Sequence, residues 1–140
     1  MDLIDGLSAL ASRTEKALAH INTEEATKNS LIMPFIQLLG YNVFDPLEVT
    51  PEFVSDIGTK KGEKVDYAIL KDAEPIILFE CKKVGDELRI NHAAQLFRYF
   101  HVTSVRFGVL TNGIEYKFFS DLEQPNKMDE KPFFEFNLLD

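Results

Sequence analysis

A chain of 140 residues, 45% hydrophobic and 27% charged, can bury one sizeable core and fits a single soluble domain over 1–140. No apolar run approaches the roughly 20 residues of a membrane span, and acids stand where a secretory signal would carry basic residues. A lone Cys81 excludes an internal disulfide framework and a four-thiolate zinc site, and suits a reducing cytoplasm.

The net charge of −8 argues against a general nucleic-acid binder, because phosphate affinity comes from Lys and Arg. The charge is uneven, however. Between Lys60 and Arg106 nine Lys/Arg face seven Asp/Glu, a balance of +2 that leaves −10 for the two ends. A local basic surface on an acidic body is therefore allowed. His20, His92 and His101 show no metal-ligand spacing.

In chain order, residues 2–21 read as an amphipathic helix with Leu3, Leu7, Leu10, Leu18 and Ile21 on one stripe. A second helix is expected from about Thr23 to Leu39. Asn22 with Glu25 three places on resembles a capping box, and Gly40 is a natural stop. Pro34 should kink this helix or divide it. Residues 42–45 and 48–54 read as short extended pieces broken by Pro46 and Pro51. KVDYAILK (64–71) and PIILFECK (75–82) are rich in β-branched and aromatic residues and predict strands. A helical period returns over 86–101, with Leu88, Leu96, Phe97 and Phe100 for the core. VRFGVLT (105–111) and IEYKFF (114–119) predict two strands joined by an Asn112-Gly113 hairpin. The segment from Pro132 is apolar and of undecided type. The order implies an α/β sandwich around a mixed sheet flanked by helices.

Chemistry concentrates in the first hairpin. Glu80 and Lys82 stand two apart on one strand and share a face. An odd connection around Asp72-Ala73-Glu74 would set Asp66 opposite Glu80, Ala68 opposite Leu78 and Leu70 opposite Ile76. Two carboxylates and an ammonium would then meet at one end of an apolar sheet face, which is costly unless something binds there. Mg2+ takes hard oxygen ligands and few protein carboxylates. Asp66 and Glu80 suit it, the Cys81 backbone carbonyl offers a third oxygen, and Lys82 could orient water or neutralise phosphate charge. By itself the triplet reads equally as an ordinary ion pair at the end of a hairpin. The Cys81 side chain, on the other face, reads as a buried thiol. The run GTKKGEK (58–64) is a solvated loop or, through residues such as Lys64 leading into Asp66, a contact for DNA phosphate.

The segments VDYAIL, IILFECKK, QLFRY and LTNG, with TEEATKNSLIMPFIQLLGYNVFDP upstream, resemble the N-terminal nuclease domain of type I restriction enzyme R subunits. That domain belongs to the PD-(D/E)xK, restriction-endonuclease-like superfamily. The likeness covers roughly residues 22–120. It implies Mg2+-dependent cleavage of DNA, with Mn2+ as a substitute ion, by Asp66, Glu80 and Lys82. It also implies site-supporting or DNA-contacting roles for Gln95 and Tyr99, which match a Q-x-x-x-Y motif, and places Glu25 as the acid that completes the metal site. Read from the residues alone, Gln95 and Tyr99 are a polar border on an amphipathic helix and Glu25 is a capping residue. Val65 stands where the family usually has proline. Nothing matches a Walker motif, so no ATP site is expected in this chain, whether it stands alone or is cut from a longer R subunit. Expected partners are DNA and, beyond it, other restriction-system subunits or a second copy. A module that keeps the nuclease fold, does not cut, and binds DNA or a protein is the alternative; a purely structural subunit or an RNA nuclease are further ones.

Overall fold

The computed structural model describes residues 2–54 and 63–140. Lys60, Lys61 and the glycines of the 58–62 stretch lie outside the described residues. Helix α1 (Leu3–Ala17) starts at Asp2, whose side chain accepts from Asp5 N at 2.9 Å. Its buried face is Gly6, Leu10 and Thr14, and Leu3 is 45% exposed. The leucine stripe is thus only partly the packing face. A Cβ at Gly6 would come within 2.4 Å of the Leu38 side chain, so the helices touch over the glycine instead. The α-helix ends at Ala17, and a 3-10 turn (Leu18–His20) leads to buried Ile21.

The next helical stretch is capped by Thr23 and not by Asn22. Thr23 Oγ1 accepts from Ala26 N at 3.0 Å, while the Asn22 amide donates back to the Ala19 carbonyl. The stretch is divided, as Pro34 predicts, into α2 (Glu24–Thr27), a π turn (Lys28–Ile32) and α3 (Met33–Leu38). Pro34 has no N–H for the carbonyl four residues back. The wider turn adapts, and Met33 N donates to the Lys28 carbonyl five residues earlier. Residues 42–48 are turns rather than an extended piece. Asn42 and Asp45 side chains accept from Phe44 N and Leu47 N at 2.9 Å each, which holds the backbone in local turns.

Among the described residues six strands follow in the spatial order of the sequence: β1 (Val49–Phe53), β2 (Val65–Lys71), β3 (Glu74–Cys81), β4 (Phe107–Thr111), β5 (Glu115–Phe119) and β6 (Phe134–Asn137). Neighbours are antiparallel except β3 and β4, which run parallel and are joined through a 3-10 turn (Ile90–Ala93) and α4 (Ala94–Val102). The helix therefore begins later than its sequence period suggests. Residues ahead of it are held from the hairpin side, by Asn112 Nδ2 on the Asp86 carbonyl and Lys117 Nζ on the Leu88 carbonyl. The apolar segment after Pro132 supplies edge strand β6.

One sheet face, with Tyr67, Ile69, Phe79, Cys81, Val109 and Tyr116, packs on Leu10, Ile32, Phe35 and Ile36. The other, with Ala68, Leu78, Leu110 and Phe119, packs on Leu96, Tyr99 and Phe100 of α4. The molecule is an α/β fold, a mixed sheet between two helical layers.

The β2–β3 turn reaches its register by an unexpected route. Asp72 and Ala73, with φ of 51° and 68°, form a two-residue turn that pairs Lys71 with Glu74. A bulge then shifts the ladder, so Leu70 faces Pro75 and not Ile76. Beyond it Ala68 faces Leu78, as expected. An even turn plus one surplus residue does the work of an odd connection.

Candidate active site

The β2–β3 ladder ends at Tyr67 opposite Phe79, and the same count sets Asp66 level with Glu80. There the strands part. β3 continues along β4, with Cys81 opposite Thr111 and Lys82 N donating to the Thr111 carbonyl at 2.8 Å. On the β2 side, the Asp66 carboxylate replaces a ladder partner: its Oδ2 accepts from Cys81 N at 2.7 Å. In an extended strand the N–H and C=O of one residue point the same way, so the Cys81 carbonyl is aimed into the same gap.

Glu80 is 5% exposed on the α4 side of this gap. Burial, and then the charge of neighbouring Asp66, push its carboxyl up to about 8, with Lys82 acting in the opposite direction. Lys82 Nζ stands 3.7 Å from Glu80 Oε2. The predicted triplet is thus brought together. Glu80 Oε1 is buried with no hydrogen-bond partner among the described residues, and a buried carboxyl oxygen without a partner is costly unless a cation or water meets it.

The other predicted residues are placed as follows. Gln95 lies on α4, and its Oε1 is likewise buried and without a hydrogen-bond partner among the described residues. Tyr99, one turn on, is fully buried. Its hydroxyl donates to the Glu63 carbonyl at 3.0 Å, with the Phe53 carbonyl at 3.4 Å. Tyr99 therefore fixes the backbone just before Asp66 from inside the core. Lys64 is half-exposed and pairs with Glu52 at 3.1 Å. Glu25 is exposed and meets Asp66 only through Lys28, whose Nζ is 3.4 Å from Glu25 and 2.8 Å from Asp66 Oδ1. The Cys81 side chain is buried in the helical layer, and burial, then the charge of Asp66, raises its thiol well above the ordinary range, so it is no nucleophile.

Sequence reasoning missed Lys28. Its local neighbours Glu24 and Glu25 suggest a surface helix pair, and nothing in the pattern signals Asp66, far along the chain. Thr27 was missed for the same reason: its hydroxyl accepts from Val84 N at 3.1 Å and ties α2 to the exit of β3. Arg98 of α4, bonded to Glu63 through Nε at 2.8 Å, fixes the approach to β2. Among the described residues, the local basic surface allowed by the charge balance is partly neutralised. Lys64, Lys82, Arg89, Arg98 and Arg106 all sit in ion pairs.

Among the described residues no three His, Cys, Asp or Glu side chains converge on one point. Two carboxylates and a backbone carbonyl are nonetheless the modest oxygen set that suits Mg2+, which retains water for its remaining positions. The partnerless Glu80 oxygen fits that set. The surface grooves lined by Arg13, Thr14, Ile21 and Asn29, and by α1 with the Phe136–Asp140 segment, do not include these residues. No helix among the described residues is long and apolar enough to cross a membrane.

Comparison with known proteins gives one match. The family model of the type I restriction enzyme R protein N terminus aligns with residues 23–132, well over half of the chain. That span includes Glu25, Lys28, Asp66, Glu80, Lys82, Gln95 and Tyr99. No curated protein and no solved structure matches.

Proposed function

From the premise that this chain belongs to the type I restriction enzyme R protein N-terminal family, we propose that it is a Mg2+-dependent DNA endonuclease domain with Asp66, Glu80 and Lys82 at its centre. The observation that carries this reading is the parting of β2 and β3. It leaves two carboxyls side by side, a buried Glu80 oxygen without a partner, and an ammonium at 3.7 Å.

Asp66, Glu80 and the Cys81 carbonyl would hold the ion, with Mn2+ as a substitute. When bound, such an ion supplies an activated water and a Lewis acid for the scissile phosphate. Asp66 is oriented for this role by the Cys81 N–H. Glu80 must release its proton to become a ligand, and Lys82 offsets the resulting negative charge. Lys82 is 28% exposed, so its ammonium can also face the phosphate and neutralise charge that develops there. The family implies a supporting role for Gln95 of α4, whose Oε1 is also buried without a partner among the described residues. DNA is the substrate implied by the family, and other subunits of a restriction system are the implied protein partners. The site calls for no covalent nucleophile.

The test is nicking of supercoiled plasmid with Mg2+, Mn2+ or chelator. Wild type should nick only with metal, and Asp66→Ala and Lys82→Ala should lose at least about 100-fold in rate while keeping the wild-type circular dichroism. Equal behaviour of wild type and both variants would refute the enzyme reading. A second reading, a module that binds without cutting, has one observation in its favour: the basic side chains near the site are mostly engaged in ion pairs. With its cations so engaged, such a module would hold a protein partner and not DNA, and it requires no nicking under any metal and no DNA retention in a mobility-shift assay.

A further inference from the structure

Lys28 is the most heavily engaged cation of the described residues. Its side chain is 12% exposed and lies 2.8 Å from Asp66 Oδ1, 3.4 Å from Glu25 and 3.7 Å from Glu24. Asp66 Oδ2 is already taken by the Cys81 N–H, so Lys28 holds the other oxygen of the residue best placed to receive a divalent ion. Its position is not accidental to the chain path. The π turn begins at Lys28, and Thr27 beside it is tied to Val84 at the exit of β3. The hairpin at Gly113 presses on Leu31 and Thr27 from beyond. Three constraints therefore fix the stem of this lysine over the gap between β2 and β3.

We propose that Lys28 is a built-in counter-ion for the acidic pair, holding Asp66 in the metal-free protein and competing with the divalent ion for it. The inference rests on the metal-binding reading given above and goes beyond it by assigning a residue that sets metal affinity. An ammonium and a divalent cation on one small, partly buried carboxylate repel strongly, because the local dielectric is far below that of water. Lys28 has somewhere to go. Glu24 and Glu25, half and largely exposed on its own helix, already lie within 4 Å. A shift of the ammonium toward them frees Asp66 Oδ1 without leaving the charge unpaired. The device stabilises the metal-free site, and in doing so it weakens metal binding. Lys28 is thus a positioning residue and not a catalytic one.

The experiment is calorimetric titration of MnCl2 and MgCl2 into the full chain at pH 8.5, using wild type, Lys28→Met and Lys28→Arg. Lys28→Met keeps the apolar stem and removes the charge. It should bind Mn2+ at least about tenfold more tightly than wild type, while Lys28→Arg stays close to wild type. Metal-free Lys28→Met should melt below wild type, and saturating Mn2+ should raise its melting temperature by more than it raises that of wild type, an excess that simple loss of packing would not give. Equal metal affinity in wild type and Lys28→Met overturns the counter-ion role and leaves the nuclease reading intact. Binding by Lys28→Met alone upholds the counter-ion role and overturns an active wild-type nuclease. No binding by any of the three overturns both. Should Lys28→Met fail to fold, the wild type decides: the Lys28 ε-methylene resonance must shift along the calorimetric Mg2+ curve, and a resonance unmoved at saturation overturns the proposal.

Discussion

Glu80 concentrates the residue-scale physics of this protein. Its carboxyl is buried beside Asp66, so the folded state favours the protonated form and the group is pushed up to about 8 from an ordinary value of 4.5. A carboxyl raised on folding contributes nothing against stability while both states are protonated. It costs stability progressively as pH rises from its ordinary value to about 8, and the loss then levels off. Glu80→Gln should therefore leave the melting temperature nearly unchanged at about pH 3.5 and raise stability by about 1–3 kcal/mol at about pH 8.5 in chelator. A gain of the same size at both pH values would show that the carboxyl is not protonated by its surroundings. Glu80, Lys82 and Asp66 could be singled out from sequence because a two-residue spacing on a strand fixes a shared face. Lys28 could not. Its decisive partner is Asp66, and long-range ion pairs leave no local periodicity.

At the scale of elements, the site depends on two supports that hold helices against the sheet. One is α4, whose Tyr99 hydroxyl and Arg98 guanidinium fix Glu63 just ahead of β2. The other is the β4–β5 hairpin. Gly113 has φ of 88°, and a Cβ there would lie 2.7 Å from Leu31 and 3.0 Å from Thr27. Gly113→Ala should cost about 1–3 kcal/mol in urea unfolding, combining backbone strain with displacement of the π turn. Gly40 provides the control. It also has positive φ, at 104°, but open space around it, so Gly40→Ala should cost about 1 kcal/mol at most. Equal losses at the two positions would mean that the hairpin does not brace the Lys28 turn. The strands, the Asn112-Gly113 turn and the break at Pro34 were legible because each has a local cause. The bulge after Ile69 was not, since a two-residue turn and a longer one leave similar composition. The choice of Thr23 over Asn22 as cap was also hidden, because both residue types cap well and only packing decides between them.

For the whole molecule, the sheet order explains why the chemistry lies where it does. Strands β2 and β3 form an antiparallel pair, and β3 then carries on beside parallel β4. Where β2 ends its ladder, polar side chains enter a gap between two apolar layers. The alternation of helices and strands made this α/β class readable, and the family match over residues 23–132 covers both strands and both supports. The charge distribution was less readable. A segment balance of +2 suggested a basic surface, yet folding pairs five of its seven described cations with acids, two of which, Glu52 and Asp121, come from outside the segment. The most direct measurement is a crystal structure with Mn2+, phased for its anomalous signal. A peak within coordination distance of both Asp66 and Glu80, with Lys28 withdrawn from Asp66, is the expected result. Anomalous density elsewhere, with the two carboxyls still sharing Lys28 and Lys82, would contradict it.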